Sequence, residues 1–82
     1  MKEYDCRITG IIIRKLRMQK GLTQDVLSGL AGIARSHLAM IEAETKDAAF
    51  DTLWRIADAL GLRLSQVIQM IEEYPERDAP QA

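Results

Sequence analysis

The spacing of apolar residues is helical along most of the chain. Apolar positions recur at intervals of three and four residues, and Gly or Pro repeatedly interrupts this pattern. No stretch offers a convincing β-hairpin. The pattern therefore predicts an all-α fold with five helices.

Local start and stop signals bound the first two helices. Helix one is expected to end near Lys20, because Gly21 stands where a left-handed residue commonly follows a helix. Thr23 is expected to cap helix two, which Gly32 ends after about two turns. The inward positions of helix two are predicted to be Val26, Leu27, Leu30 and Ala31.

Helix three is predicted from Arg35 to about Ala43, with Leu38 and Ile41 facing the core. Only two or three residues separate it from helix two. A link this short forces a sharp corner, because antiparallel packing of the two helices would need a longer loop.

Two further helices follow, over about residues 50–60 and 64–74, and Gly61 and Pro75 end them. Their predicted core positions are Leu53, Ile56, Ala57 and Leu60, then Leu64, Val67, Ile68 and Ile71. Three more apolar residues, Ile11, Phe50 and Trp54, are not obviously required inside, although a Trp is more often a core residue.

Both ends of the chain differ from the helical middle. Tyr4, Cys6 and Ile8 alternate with polar residues, which fits a short strand, an extended arm or a helical arm. We predict an N-terminal arm over residues 1–8, a folded domain over 9–74 and a flexible tail over 75–82.

Composition limits the chain to one small domain. It has 82 residues and a mass of 9.2 kDa, with 48% hydrophobic and 28% charged residues. Cys6 is the only cysteine, so no internal disulfide can form, and no Cys/His cluster is present to hold a metal. No nucleophile–base pair or Gly-rich phosphate loop appears, and the sequence predicts neither an enzyme nor a cofactor.

No targeting or membrane segment is apparent. The longest apolar run is Ile11–Ile13, far short of the roughly 18 residues that a membrane span requires. The single cysteine also fits a reducing compartment. We therefore expect a soluble, cytoplasmic protein without membrane contact.

The net charge of −1 hides an asymmetry between the two halves of the chain. Residues 1–46 carry eight basic and five acidic side chains, a balance of +3, whereas the remainder carries three basic and seven acidic ones, a balance of −4. The basic half is the half with the sharp helical corner, which hints at a polyanionic partner.

A set of short motifs recurs in register across the five predicted helices. They are Ile13–Arg17, Lys20–Gln24, Leu27, Ala31–Ile33, Arg35–Ser36, Ile41–Glu42, Thr52–Leu53, Ile56–Ala57 and Ala59–Gly61. With these motifs the chain resembles the Cro and phage-repressor type of helix-turn-helix protein, also called the XRE family. The resemblance implies a compact five-helix, lambda-repressor-like DNA-binding domain, in which helices two and three form the helix-turn-helix and helix three enters the major groove.

The outward face of helix three is the predicted base-reading surface. With Leu38 and Ile41 in the core, that face presents Arg35, Ser36, Ala39 and Met40. Arg35 could bind guanine O6 and N7, Ser36 could serve either base type, and Ala39 or Met40 could contact a thymine methyl group.

Phosphate contacts are predicted on both sides of helix three. Thr23 and Gln24 begin helix two, where free N–H groups can hold a phosphate, and they match the family's phosphate-binding positions. In the loop after helix three, Thr45 and Lys46 have suitable side chains. His37 is expected to contact phosphate or base, or to be plain surface.

The resemblance also implies a structural ion pair between Arg17 of helix one and Glu42 near the end of helix three. Such a pair would hold the reading helix in place and would neutralise a carboxylate close to the DNA.

Several positions depart from the family pattern. Ala34, Ala49 and Arg63 replace the Ser or Thr that commonly caps the third, fourth and fifth helices. Glu44 and Ala48 replace a Gly after helix three and a Pro before helix four, so we expect an altered turn with a carboxylate towards the phosphates.

A homodimer is predicted because one reading helix selects only a few base pairs. The predicted interface lies on helix five and the connection before it, at Leu64, Val67, Met70 and Tyr74. The favoured function is a sequence-specific transcriptional regulator that binds double-stranded DNA. The alternative is an antitoxin-like protein-interaction module of the same fold, with secondary or lost DNA binding.

Overall fold

The computed structural model describes residues 4–75, and every regular element within them is an α-helix. Helices α1 to α5 span Cys6–Gln19, Gln24–Ala31, Arg35–Glu42, Phe50–Ala59 and Leu64–Glu72. The predicted five-helix, all-α fold is confirmed. The predicted C-terminal ends of the helices agree with the observed ones to within two residues.

Helix α1 begins inside the predicted N-terminal arm, so the helical alternative holds for Cys6–Ile8. Asp5 caps this helix, and its carboxylate accepts the Arg7 backbone N–H at 3.0 Å and the Arg7 guanidinium at 2.8 Å. The guanidinium lowers the pKa of Asp5, so the cap stays charged at a lower pH than an ordinary aspartate does. The predicted tail from residue 76 onward lies outside the described residues.

The core is formed by apolar residues from all five helices. Helix α1 packs against α3 and α5, α2 packs against α3 and α4, and α4 packs against α5. The side chains with almost no exposed surface are Ile13, Leu27, Leu38, Ile41, Ile56, Leu60 and Val67. Helix α3 is therefore held from its inner side by α1 and α2, and its opposite side faces solvent.

Two predictions of buried residues are wrong. Val26 and Leu30 are exposed, because α2 turns Leu27, Ser28 and Ala31 towards the core instead. An eight-residue helix with apolar pairs at 26/30 and 27/31 has two neighbouring stripes, and only one of them fits against α3 and α4. Trp54, which the sequence did not clearly require inside although a Trp is more often a core residue, is exposed.

Helix caps follow the sequence closely. Thr23 Oγ1 accepts the Val26 N–H at 3.1 Å, which confirms the predicted cap of α2. Ala34 and Ala49 provide no side-chain cap for α3 and α4, and each omission costs roughly 1 kcal/mol relative to Ser or Thr. At the start of α5 the Arg63 N–H donates to Gln66 Oε1 at 2.8 Å, so the side chain of Gln66 satisfies this group.

Helix α3 ends in the same type of turn as the helices that end in glycine. The Thr45 N–H donates to the Met40 carbonyl, and the Glu44 N–H donates to the Ile41 carbonyl, each at 3.1 Å. Glu44 has a φ of +67°, and it is the one non-glycine residue with positive φ among residues 4–75. The glycine-type turn is therefore kept, although a glutamate occupies it.

Replacing Glu44 by glycine is expected to stabilise the protein. A side chain in the left-handed region costs about 1–2 kcal/mol, and the greater freedom of glycine in the unfolded chain offsets part of the gain. We expect Glu44→Gly to raise the free energy of unfolding by about 1 kcal/mol, which corresponds to about 4–8 °C in Tm for a domain of this size. Thermal unfolding followed by circular dichroism measures the change.

The control is Glu44→Ala, which removes the carboxylate but keeps a β-carbon in the left-handed conformation. It should give none of the gain. Equal stabilisation by Ala and Gly would assign the effect to charge rather than to backbone strain.

Candidate nucleic-acid interface

Helices α2 and α3 form a tight corner over the link 32–34. Gly32 has a φ of +70° and ends α2, as predicted, and the Ile33 N–H donates back to the Ser28 carbonyl at 3.0 Å. This geometry turns the chain sharply and starts α3 at Arg35. The N-terminus of α2 and the outer face of α3 are thereby held in one rigid unit.

The outer face of α3 carries the four predicted base-contacting residues. Arg35, Ser36 and Met40 are exposed and Ala39 is half-buried, whereas Leu38 and Ile41 are buried. Helical spacing places the four outer residues on one side of α3. This side presents a guanidinium, a hydroxyl group and two apolar side chains. Groups of these three kinds can contact base edges in a major groove.

The Arg35 guanidinium lies against a carboxylate of the neighbouring helix. Arg35 Nε is 3.0 Å from Asp25 Oδ1, in the first turn of α2, and both side chains are largely exposed. No local pattern in the sequence indicates this pair. The two positions are ten apart in sequence, and only the corner between the helices brings them together.

The other end of α3 is fixed to α1 by Glu42. Arg17 Nε and Nη2 each donate to one oxygen of the Glu42 carboxylate at 2.8 Å, and Arg17 Nη1 donates to the Leu22 carbonyl at 2.8 Å. Side-chain exposure is only 14% for Arg17 and 3% for Glu42. The hydrogen bonds to Glu42 raise the pKa of the Arg17 guanidinium, so the cation is held in its charged form.

Gln24 joins the same network. Its Nε2 donates to Glu42 Oε1 at 3.2 Å. The predicted phosphate ligand Gln24 is therefore bonded to Glu42, the last residue of α3. The neighbouring Thr23 hydroxyl is exposed at the start of α2.

The loop after α3 holds the remaining predicted phosphate ligands. Lys46 and Thr45 are exposed, and the Thr45 hydroxyl donates to the Met40 carbonyl at 3.1 Å. His37 is half-buried on α3 itself. Glu44 lines a small cavity beside α1 together with Arg14 and Lys15.

Asp47 is anchored on the far side of this loop. The Tyr4 hydroxyl donates to Asp47 Oδ1 at 2.8 Å and lies 2.8 Å from the hydroxyl of the buried Thr9. Partial burial raises the pKa of Tyr4, which keeps its hydroxyl protonated and able to donate. This contact spans 43 positions of sequence, and no local pattern could have predicted it.

The structure contradicts half of the predicted dimer interface. Val67 on α5 and Tyr74 just beyond its end are both buried within the chain itself. Lys15 Nζ lies 5.6 Å from the centre of the Tyr74 ring. Leu64 is half-buried and Met70 is exposed, so these two remain accessible.

A different apolar surface lies between α4 and α5. Phe50 and Trp54 are 67% and 59% exposed, and their ring centroids are 6.3 Å apart. Phe50 borders a groove of about 430 Å³ whose apolar walls are Leu53, Ile68 and Ile71. Exposed aromatic pairs beside an apolar groove are typical of surfaces that another molecule covers.

No helix in the described part of the chain is long and apolar enough to cross a membrane.

Several known proteins are similar to this chain in sequence or in fold. The chain is 28% identical over 69 residues to an uncharacterized HTH-type transcriptional regulator of Sinorhizobium fredii (strain NGR234), a match that covers 84% of this chain and 90% of the relative. The crystal structure of the restriction-modification controller protein C.AhdI from Aeromonas hydrophila is similar at a TM-score of 0.74 and 28% identity, covering 79% of this chain and 98% of that one.

The structure of a second controller protein, C.Esp1396I, was determined as a tetramer in complex with its natural 35 base-pair operator. Its TM-score is 0.79, and the similarity covers 88% of this chain and 95% of that one. At 21% identity this similarity concerns the fold alone.

The family assignment rests on the sequence match that includes the corner described above. Residues 13–67 match the family model described as helix-turn-helix, a span that runs from the middle of α1 into α5 and contains α2, α3 and their link. The lambda-repressor-like arrangement of five helices agrees with this match. The chain therefore belongs to the helix-turn-helix family of the Cro and phage-repressor, or XRE, type.

Proposed function

We propose that this protein is a sequence-specific DNA-binding transcriptional regulator that places α3 in the major groove of double-stranded DNA. The observation that carries the proposal is the exposed face of α3, where Arg35, Ser36 and Met40 stand clear of the core. Similarity to a transcriptional regulator and to two controller proteins, one of them crystallised with its operator, supports it.

In this arrangement the residues divide into base readers and phosphate ligands. Arg35 binds guanine, Ser36 contacts a neighbouring base, and Ala39 and Met40 pack against thymine methyl groups. The first turn of α2, with Thr23 and Gln24, holds one phosphate through free N–H groups. Lys46 holds another through its ammonium group, and the Thr45 hydroxyl joins it by rotating away from the Met40 carbonyl. His37 on α3 is a further phosphate ligand in this proposal.

Substitution of Arg35 and Lys46 separates these two roles. A duplex selected from random DNA is compared with a scrambled duplex by fluorescence anisotropy over a series of salt concentrations. Arg35→Ala is expected to lower the preference for the selected duplex by about 1–3 kcal/mol. Lys46→Ala is expected to weaken both duplexes alike and to reduce the salt slope by about 1.

Equal losses on both duplexes in both variants would contradict the division of roles. Absence of salt-dependent binding by the unmodified protein would reject the DNA-binding function. That result would favour a protein-interaction module of the same fold, for which the exposed Phe50 and Trp54 are the supporting observation.

The protein acts as a homodimer in this proposal, because one α3 contacts too few base pairs to select a site in a genome. The proposed interface consists of the apolar groove between α4 and α5, which Phe50 borders, and of Trp54, whose ring lies 6.3 Å from that of Phe50. It takes the place of Val67 and Tyr74 in the predicted interface, because both of these residues lie in the core.

Multi-angle light scattering tests the dimer. A particle of twice 9.2 kDa is expected for the unmodified chain. Trp54→Glu should give a monomer, because a carboxylate in a closed apolar interface loses its hydration without gaining a partner. The matched control, Leu30→Glu, changes an exposed apolar residue on α2 and should remain dimeric. A monomer of the unmodified chain at high concentration would contradict the proposal.

A further inference from the structure

We infer that Asp25 is a specificity-determining residue, which positions the Arg35 guanidinium for base readout and penalises DNA that offers no guanine there. The inference rests on the proposed function, since it assigns a role to a residue next to the proposed reading face. Asp25 itself belongs to neither the predicted base-contacting nor the predicted phosphate-contacting residues.

The geometry of the pair leaves the reading end of the arginine open. Asp25 Oδ1 faces Arg35 Nε at 3.0 Å, and within residues 4–75 Arg35 forms no ion pair with any residue other than Asp25. Two terminal amino groups in one plane are what a guanidinium uses to bind guanine O6 and N7 together. Asp25 thus holds the side chain by its inner nitrogen and orders the fork before DNA arrives, which lowers the ordering cost of binding.

The same pair is loose enough to respond to the DNA. Side-chain exposure is 64% for Arg35 and 76% for Asp25, and an ion pair so exposed shifts an equilibrium by only a few-fold. Arg35 can therefore leave Asp25 when a phosphate attracts it more strongly than the base edge does.

The position of Asp25 turns this movement into a penalty. The residue lies in the first turn of α2, next to Thr23 and Gln24, where the phosphate contact is proposed. On a site with guanine, Arg35 contacts the base and still neutralises Asp25. On other DNA, Arg35 either keeps Asp25 and gains no base contact, or binds a phosphate and leaves the carboxylate unpaired beside the polyanion.

The experiment compares Asp25→Asn with Asp58→Asn. Both variants remove one negative charge from an exposed helical position while keeping the shape of the side chain. Asp58 differs from Asp25 in that it lies on α4, outside the pair of helices α2 and α3. Dissociation constants are measured by fluorescence anisotropy at one fixed salt concentration, on the selected and on the scrambled duplex. Thermal unfolding of each variant verifies that it is folded.

For Asp25→Asn we expect the affinity for scrambled DNA to rise about fivefold and the affinity for the selected duplex to change by less than about twofold. The ratio of the two affinities should therefore fall. Asp58→Asn should shift both affinities together and preserve the ratio. In an Arg35→Ala background, Asp25→Asn should also leave the ratio unchanged, because no guanidinium remains to be positioned.

The outcomes separate the two proposals. If the unmodified protein binds neither duplex even at low salt, the proposed function fails and the role of Asp25 fails with it. If the unmodified protein prefers the selected duplex but Asp25→Asn leaves the ratio as Asp58→Asn does, the role of Asp25 alone is overturned. A fall in the ratio that persists without Arg35 would also overturn it, since the effect would then not act through that side chain.

Discussion

Replacement of Glu42 by alanine is expected to destabilise the protein by about 3–5 kcal/mol, because it leaves the Arg17 guanidinium buried beside an empty site. Both carboxylate oxygens of Glu42 accept hydrogen bonds from Arg17 at 2.8 Å, and the carboxylate is 3% exposed. After the change Arg17 retains only the Leu22 carbonyl. Urea unfolding followed by circular dichroism measures the loss.

Three variants identify the cause of that loss. Glu42→Gln keeps the shape and one acceptor, so it should cost less than Glu42→Ala. The double variant Arg17→Met/Glu42→Leu removes both charges and should recover much of the stability, because an apolar pair of similar volume needs no ionic partner. Asp58→Ala, at an exposed position on α4, should change stability by less than about 0.5 kcal/mol.

A loss below about 1 kcal/mol for Glu42→Ala would contradict the structural role of the pair. A double variant that is as unstable as the alanine variant would point instead to packing around Glu42. For an 82-residue domain the total stability is about 4–12 kcal/mol, so the expected loss is a large part of it.

The sequence predicted the helices well because their ends are encoded by single residues. Thr23 supplies a hydroxyl that caps α2, and Gly32 adopts the positive φ that ends it. Each of these signals acts within one turn of its own helix, so no knowledge of the tertiary structure is needed. At Glu44 the same turn forms on a residue that does not favour a positive φ, so glycine is not required for it.

The orientation of apolar side chains was harder to predict. Helix α2 is short, so its two apolar stripes are indistinguishable by periodicity, and Val26 and Leu30 were placed on the wrong side. Trp54 was not clearly required inside, although a Trp is more often a core residue, and its side chain is exposed. Tyr74 was predicted at the dimer interface, but its side chain is buried in the core.

Polar contacts between helices could not be predicted from local pattern at all. The Asp25–Arg35 pair and the Tyr4–Asp47 hydrogen bond join residues that only the tertiary structure brings within 3.0 Å. The Arg17–Glu42 pair was anticipated through the family resemblance rather than from spacing. The helical period was enough to predict which side chains of α3 face outward, whereas the Asp25–Arg35 pair required the structure.

Gly10→Ala is expected to destabilise the protein by about 2–3 kcal/mol, although alanine is the better helix former. Gly10 lies in α1, where the backbone of α3 approaches so closely that a β-carbon would overlap the Ile41 carbonyl oxygen. The overlapped atom belongs to the backbone, so no side-chain rotation can relieve the contact. Helix α3 must instead move away from α1, which also strains the bond between Arg17 and Glu42.

Gly29→Ala is the matched control for this prediction. Gly29 lies in α2, and a β-carbon there would meet nothing within 4 Å. The change should therefore stabilise the helix by up to about 1 kcal/mol, the ordinary advantage of alanine over glycine. Opposite signs for the two substitutions in urea unfolding are the expected result. Stabilisation by both would show that α1 and α3 can separate at little cost, and that the close approach of Gly10 to Ile41 does not fix the position of α3.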